Sequence, residues 1–264
     1  MKTIEHPEKK RNVLSSGKVM DHINTALEKK LPCAVVSVGA TESFVMAQYR
    51  VLLEEEFMSH PEARIANQGI KSGFHHRGIR FPNIKARDEL IDAVKKAHII
   101  GYNIIVYDMN AGELTDKVFE AYNICPKYVF EANLRRVIMF SQQKKFEKML
   151  SDKKILLISS IAEEAKDALN KKWKEKLNFN IVGTIPIYEY EDIPEVKQKI
   201  AAYDFDLCLL AAGTNAVILA SHIAEKYGKV AVDIGSGMQS FITNEIVEDT
   251  WLTYVIGIDR IMNM

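Results

Sequence analysis

The sequence has few cysteines, no long apolar run and no excess charge, and each of these absences narrows the range of functions. Its three cysteines are widely spaced, and two of them lie in apolar runs. They indicate small core residues in a reducing compartment rather than a disulfide framework or a zinc site. No stretch approaches the roughly 20 apolar residues of a membrane span. The charged first twelve residues do not resemble a secretory signal, so we expect a cytoplasmic protein without a membrane span.

The charge balance argues against a nucleic-acid-binding protein. Lysine and arginine together number 35, as do aspartate and glutamate, so the formal net charge is zero. A protein that binds nucleic acid in general usually has a basic footprint. With 264 residues, of which 47% are hydrophobic and 27% charged, the chain is long enough for one large α/β domain or two small ones.

The standard nucleotide-binding fingerprints are missing as well. The sequence contains no Walker loop, no complete G-x-G-x-x-G and no Tyr-x-x-x-Lys pair. These absences disfavour a short-chain dehydrogenase or a methyltransferase, the two alternative Rossmann-like enzymes.

The clearest pattern in the chain is a β-α-β unit between Asp206 and Phe241. Leu207–Ala212 is a short apolar run without alternation, which is typical of a strand buried on both faces. Gly213-Thr214-Asn215 begins a helix, and a second buried strand at 230–234 ends at Gly235-Ser236-Gly237.

This unit predicts where a ligand would bind. Ligands of open parallel sheets lie beyond the carboxyl ends of the strands, where helix N-termini offer unpaired N–H groups. Gly213, Thr214, Asn215, Asp233 and Gly235 all fall on that edge, and we take them as candidate ligand-binding residues. The alternative is that both segments are ordinary strand-to-helix turns.

The rest of the chain predicts an α/β fold, Rossmann-like, with a mostly parallel sheet and helices on both faces. Residues 33–38 form a buried strand, 133–150 one long helix and 253–258 a last strand. We expect a flexible N-terminus over 1–12 and a single domain over 13–264. A boundary near Ser151 would divide that domain into halves, 13–150 and 151–264, that share one cleft.

An irregular segment over 59–83 adds candidate residues for an anionic ligand. It contains His75-His76-Arg77 followed by Arg80. Adjacent histidine side chains diverge, so the pair is not a metal signature. Long irregular segments in compact domains are either functional or disordered. Asn110 and Arg135, near the starts of two further helices, are additional candidates.

Three segments, taken in order, resemble glycosyltransferases of the GT-D fold. The first is Val36–Ser43, which is similar to the family's strand leading into a Gly-Asp-Gly-Glu turn. The second is Gly78–Asn83 with Ala86-Arg87-Asp88, and the third is Asp206–Ile234 with its AAGTNA loop. Together they span most of residues 33–240.

The resemblance implies a transferase that uses a nucleotide sugar, with an Asp-x-Glu pair near a divalent cation and the diphosphate. Glu42 takes the glutamate position, as a catalytic residue and metal ligand, but Ala40 stands where the family has aspartate. A Mn²⁺ or Mg²⁺ ion would therefore lose its usual carboxylate. Binding is then weaker, metal-free, or completed by Asp108 or Asp233. The alternative for Glu42 is a carboxylate that complements its helix dipole.

Two functional hypotheses follow. In the first, an enzyme holds a nucleoside diphosphate sugar, preferably a UDP-sugar, and transfers the sugar to an acceptor. Gly39, Ser43 and the Gly213 turn would contact the ligand, and Arg80 would offset diphosphate charge. In the second, the protein is a non-catalytic binding or scaffolding descendant that has lost the metal-binding aspartate. The sequence does not name the sugar or the acceptor, nor does it decide whether the protein is a homo-oligomer.

Overall fold

A single parallel sheet forms the centre of the protein. The computed structural model describes residues 11–69, 71 and 76–264. In these ranges, eight strands pair in the order β1-β4-β3-β2-β8-β7-β5-β6, and every pair is parallel. The strands are β1 Asn12–Val13, β2 Cys33–Val38, β3 Ile99–Tyr102, β4 Tyr128–Glu131, β5 Lys154–Ser159, β6 Asn180–Ile185, β7 Leu207–Ala211 and β8 Val230–Asp233.

Helices cover both faces of this sheet. In chain order they are α1 Ser16–Lys29, α2 Ala40–Ala47, α3 Glu54–Ser59, α4 Pro61–Asn67, α5 Ile84–Lys96, α6 Gly112–Ala121, α7 Leu134–Ser141, α8 Gln143–Leu150, α9 Ala162–Leu177, α10 Ile193–Ile200, α11 Thr214–Tyr227, α12 Gln239–Thr243 and α13 Ile258–Met262. Short 3₁₀ turns at Tyr190–Asp192 and Gly235–Met238 and a π-helix at Trp251–Ile256 complete the described elements. The predicted α/β fold, with a parallel sheet and helices on both faces, is confirmed.

Two hydrophobic cores lie on opposite sides of the sheet. The core on the first face contains apolar side chains of α2–α6, α10 and α11, and the core on the second face contains those of α1, α7–α9, α12 and α13. Successive residues of β2 alternate between the two cores, and all six are buried. A strand that is covered on both faces needs apolar side chains on both. This explains why the strands have continuous apolar runs.

The predicted β-α-β unit is present, and its strands pair directly. Leu207 of β7 and Cys33 of β2 both pair with Val230, so β8 lies between β2 and β7. Because these strands run in one direction, the turns at Gly213 and Gly235 lie at the same edge of the sheet, as predicted. The buried side chain of Asn215 and the C-terminal Gly228, whose φ is +64°, mark the two ends of α11.

The prediction of a last strand at 253–258 is wrong. This segment lies mostly in the π-helix Trp251–Ile256, which the Asp249 carboxylate caps by accepting from the Leu252 N–H at 2.7 Å. Leu252 and Ile256 are four residues apart and both are buried in the second core, whereas Tyr254 between them is 83% exposed. Apolar residues with that spacing share one face of a helical turn.

The prediction of one helix over 133–150 is also wrong. The helix breaks at Gln142, where the backbone has φ −124° and ψ +39°, and continues as α8. The Gln142 side-chain amide donates to the Ser16 hydroxyl at 3.0 Å, and Lys145 on α8 binds Asp21 on α1. The break therefore turns α8 so that it packs along α1.

Both predicted halves contribute strands to the one sheet. The first-half strand β2 pairs with the second-half strand β8. Residues 1–10 lie outside the described ranges, and β1 begins at Asn12. No helix in the described ranges is long and apolar enough to cross a membrane.

Candidate functional site

A crevice forms where the chain leaves neighbouring strands toward opposite faces. After β2 and β7 the chain enters α2 and α11 on the first face, whereas after β8 it enters the 3₁₀ turn and α12 on the second face. Since β8 lies between β2 and β7, these connections diverge beyond its carboxyl end. Ligands of open α/β sheets bind at such points.

The turn before α2 holds a buried carboxylate at this crevice. Gly39 is the N-cap of α2, and its N–H donates to the Glu42 Oε2 atom at 2.9 Å. Glu42 is 5% exposed. Its Oε1 atom accepts from the Thr214 hydroxyl at 3.3 Å, although Thr214 is 172 residues away in the sequence. Glu42 thus joins the N-termini of α2 and α11.

The turn before α11 needs a glycine. Gly213 has φ +53° and ψ −136°, a combination that residues with a side chain rarely adopt. The Asn215 side-chain amide, which follows it, donates to the Gly78 carbonyl at 3.1 Å. The Asn215 Oδ1 atom is buried and has no hydrogen-bond partner in the described ranges. This turn therefore positions the side chains of Thr214 and Asn215. The hydrogen bond from Asn215 also holds the segment around Gly78 beside the turn.

The carboxyl end of β8 carries an ion pair. Asp233 is 1% exposed, and its Oδ2 atom lies 2.6 Å from Arg135 Nη1. Its Oδ1 atom accepts from the Gly235 N–H at 3.0 Å. Arg135 is the second residue of α7, so this helix on the second face contacts the carboxyl end of β8. The pair fixes the guanidinium beside the crevice.

Burial governs the electrostatics of the two carboxyl groups. Burial raises the pKa of Glu42 above its ordinary value, Arg135 opposes this shift and the charge of Asp233 adds to it. Burial also raises the pKa of Asp233, against the attraction of Arg135 and the Gly235 N–H. Each carboxyl group therefore holds its proton to a higher pH than it would in water.

The segment that begins at His76 lies beside the Gly213 turn. A Cβ on Gly213 would lie 3.5 Å from the Arg77 carbonyl oxygen. The Arg77 guanidinium donates two hydrogen bonds to the Glu62 carboxylate. The same carboxylate accepts, at 2.9 Å, from the hydroxyl of Thr41, which lies on α2. Arg77 is thus held to the same turn as Glu42.

The other basic residues of this segment are also paired. Arg80 lies 3.2 Å from Glu189, with its side chain 57% exposed, and His76 contacts the same carboxylate at 3.1 Å. His75, the other histidine of the predicted pair, lies outside the described residues.

Two further candidates make only local or internal contacts. The Ser43 hydroxyl is fully buried and lies 2.6 Å from the Thr115 hydroxyl, joining α2 to α6. Asn110 is exposed, and its N–H donates to the Asp108 carboxylate at 2.8 Å. Within the described ranges, Asp108 accepts hydrogen bonds from the backbone N–H groups of Asn110, Ala111 and Glu113, in the turn before α6 and its first turn. The structure therefore brings together Gly39, Glu42, Gly213–Asn215 and Asp233–Gly235, but not Ser43 or Asn110.

Sequence reasoning did not find the roles of Arg135, Thr41 and Glu62. Arg135 was a candidate only because it begins a helix, and nothing local links it to an aspartate 98 residues away. The signal that could have pointed to Arg135 is the pair Gly235 and Gly237, which leaves space beside β8.

A second concavity lies at the opposite edge of the sheet. A cavity of about 910 Å³ is lined by residues at the amino ends of β2–β4, including Pro32, His98 and Tyr128. It is bordered by the C-terminal ends of α1 and α5, whose helix dipoles favour cations over anions. The crevice at the carboxyl ends, with two helix N-termini, suits an anionic ligand better.

Comparison with known proteins identifies the family of this chain. The model of the GT-D fold-like domain family matches residues 14–241. The chain belongs to that family. The sequence matches none of the curated proteins.

Two solved structures share the fold of this GT-D-like chain. One is of the highly conserved domain of unknown function 1792, described as having a distinct glycosyltransferase fold, and the other is its selenomethionine-substituted form. Each has a TM-score of 0.54 and 14% sequence identity, and the match covers 94% of this chain and 89% of that chain. The likeness extends over nearly the whole chain and concerns the fold.

A divalent cation does not fit the GT-D-like crevice. In the described ranges, no group of three or more His, Cys, Asp or Glu side chains is placed to hold a metal ion. Both oxygens of Glu42 accept hydrogen bonds from the protein, and Asp233 is engaged by Arg135. A hard cation needs several free oxygen ligands, and these carboxylates do not supply them.

Proposed function

We propose that this protein binds a nucleoside diphosphate sugar, preferably a UDP-sugar, and transfers the sugar to an acceptor hydroxyl. The diphosphate would lie beyond the carboxyl ends of β2, β8 and β7. The observation that carries the proposal is the hydrogen bond between Glu42 and Thr214, which joins the N-termini of α2 and α11 at one crevice. Membership of the GT-D-like family supports a glycosyltransferase-like chemistry for that crevice.

The N-terminus of α11 suits the diphosphate. A helix of 14 residues carries a partial positive charge at its first turn. The Asn215 and Ala216 N–H groups donate to the Ala212 and Gly213 carbonyls, which leaves the N–H groups of Gly213 and Thr214 for a ligand. Gly213 has no side chain to cover them. Phosphate groups bind such helix starts readily.

Transfer requires one proton acceptor. The acceptor oxygen attacks the anomeric carbon, and the bond from that carbon to the diphosphate breaks. The diphosphate leaves with the electron pair of that bond, and the hydroxyl proton passes to a base. We assign the base to Glu42, because burial raises its pKa above the ordinary carboxylate range.

The assignment of Glu42 predicts a defect in turnover rather than in binding. Glu42→Gln keeps the shape of the side chain and an oxygen that can accept from Gly39. General-base catalysis contributes typically 10²–10⁴-fold, so we expect kcat to fall by about that factor with the Kd for UDP little changed. Single-turnover kinetics with a UDP-sugar would measure this, and an unchanged kcat would assign the base elsewhere.

The binding site itself can be located with two glycine variants on one helix. Gly213 and Gly228 flank α11, and both have positive φ. Gly213→Val blocks the proposed site, whereas Gly228→Val alters the distant end, where a Cβ meets nothing within 4 Å. We expect calorimetry to show UDP binding to wild type and Gly228→Val, and a loss of at least about tenfold in affinity for Gly213→Val. Circular dichroism would confirm that both variants fold.

Equal affinity of the two variants would place the nucleotide elsewhere. Absence of binding by the wild type across UDP, GDP, ADP and CDP would refute a nucleotide site. A ligand at a hundred times its Kd adds about 2.7 kcal/mol to stability, so a thermal shift would reveal binding.

A non-catalytic descendant is the second candidate function. The observation in its favour is Ala40, an exposed residue at the first position of α2 where the resemblance implies a carboxylate. UDP-sugar binding without release of UDP, over a panel of sugars and acceptors, would support this function. Release of UDP would exclude it.

A further inference from the structure

We infer that the Arg135 guanidinium supplies, in place of a divalent cation, the positive charge that holds the diphosphate of the nucleotide. This inference rests on the proposed function and names the residue that would make the site independent of metal. Its starting point is the poor fit of a cation to the two carboxylates of the crevice.

The position of Arg135 is the first support. Its Nη1 atom binds Asp233 at the carboxyl end of β8, and its charge also acts on Glu42 across the crevice. A cation bound by both carboxylates would occupy the region between them. The guanidinium therefore already provides positive charge where the resemblance implies a metal.

Two glycines make room for Arg135, one beside its side chain and the other beside its backbone. A Cβ on Gly235 would lie 2.8 Å from the Cζ and Nε atoms of Arg135, and a Cβ on Gly237 would lie 2.7 Å from its carbonyl oxygen. Contacts that short do not occur for real Cβ atoms. Gly235 and Gly237 thus allow the arginine, rather than a ligand, to approach the backbone beyond β8.

The guanidinium also keeps donors available. A guanidinium has five N–H donors, and the described residues provide a hydrogen-bond acceptor only for Nη1. The Arg135 side chain is 23% exposed, in contrast to 1% for Asp233. An arginine whose only role was to neutralise Asp233 would not need solvent-facing donors. Planar guanidinium donors match the oxygens of a phosphate group in pairs.

The test removes the charge without leaving Asp233 buried and unpaired. Arg135→Met alone would leave an uncompensated buried carboxylate, so the test variant is Arg135→Met with Asp233→Asn. The matched control is Arg136→Met with Asp249→Asn, which removes the neighbouring arginine–aspartate pair, 2.9 Å apart. Both double variants lose the same charges, one pair at the crevice and the other beside the π-helix.

Calorimetry with UDP, uridine and inorganic pyrophosphate, in EDTA and in Mn²⁺, gives the readout. We expect wild type and control to bind UDP equally well in EDTA and Mn²⁺. The Arg135 double variant should lose about 10- to 100-fold in affinity for UDP and pyrophosphate, because charge-assisted hydrogen bonds are lost, and keep its affinity for uridine.

The outcomes separate this inference from the proposed function. A Mn²⁺ requirement in the wild type, or undiminished UDP binding by the Arg135 double variant, would overturn the role of Arg135 and leave nucleotide binding intact. No binding of UDP or pyrophosphate by the wild type under either condition would overturn both.

A charge exchange gives a second, positive test. Ala40 is exposed, so an aspartate fits there without a clash. Adding Ala40→Asp to Arg135→Met places a new carboxylate two positions before Glu42 and leaves the Asp233 carboxylate without its guanidinium partner, so that bound Mn²⁺ has to compensate these charges. We expect UDP binding by this variant to require Mn²⁺, and metal-independent binding would contradict the inference.

Discussion

At the scale of single residues, two buried carboxyl groups and one arginine dominate the crevice. A buried ion pair often contributes little net stability, because desolvation of both charges opposes their attraction. The pair of Arg135 and Asp233 is therefore better explained by placement of charge than by stabilisation. No basic side chain is bound to Glu42. Its charged form should therefore be less stabilised by the protein than that of Asp233.

Glu42 should make stability depend on pH. Its folded-state pKa is raised by burial, so the proton is held more tightly in the folded than in the unfolded chain. The resulting stabilisation is present below the ordinary carboxylate range and is lost as the pH rises through the folded-state pKa. Between about pH 5 and about pH 8, we expect Glu42→Gln to become more stable relative to wild type. Urea denaturation at the two pH values measures the difference.

Glu147 offers a control, because its pKa is shifted in the direction opposite to that of Glu42. A hydrogen bond from Lys176 lowers the pKa of Glu147, so its stabilisation is present above the ordinary value of 4.5 and is lost as the pH falls. Glu147→Gln should therefore show a constant difference from wild type above about pH 5. An identical pH trend in both variants would mean that Glu42 is not the titrating group.

Residue-level reasoning from sequence found part of the site. Glu42 and Thr214 could be selected because each begins a helix directly after a buried strand, and parallel strands bring such positions to one edge. The contacts of Arg135 could not be selected in this way. They depend on how far α7 leans over β8, which sequence periodicity does not encode.

At the scale of elements, buried strands were the most predictable. β2 occupies the predicted residues 33–38, since an unbroken apolar run between turn residues has few other interpretations. The helix at 133–150 and the strand at 253–258 were predicted wrongly. In both, the outcome depends on packing against distant helices, α1 for Gln142 and α7 for the C-terminal segment.

The π-helix should be an integral part of the second core. It lies beyond residue 241, where the family match ends, yet Leu252 is fully buried in that core. We expect Leu252→Ala to lower the free energy of unfolding by about 2–5 kcal/mol, since it leaves a cavity.

Val255, in the same helix and 48% exposed, is the control. Val255→Ala should change stability by less than about 0.5 kcal/mol. Urea denaturation monitored by the fluorescence of Trp173, in the same core, and Trp251, in the π-helix, follows both variants. Equal effects of the two substitutions would show that the segment is not packed on the core.

At the scale of the whole molecule, the site depends on both parts of the chain. Glu42 comes from the first 50 residues, Arg135 from the middle and Thr214 and Asp233 from the last quarter. The fold class could be predicted because strand and helix alternate, but the strand order could not. The position of β8 between β2 and β7 is set by pairing between segments almost 200 residues apart.

That strand order has a consequence for synthesis on the ribosome. Val230–Asp233, one of the two central strands of the sheet, is translated after the other seven described strands. Until it emerges, the nascent chain has an unpaired edge on β2 and another on β7. Exposed apolar edges favour pairing with other chains, so this protein should depend on chaperones until β8 has been translated. A message truncated shortly before codon 230 would yield a product that aggregates rather than a smaller folded protein.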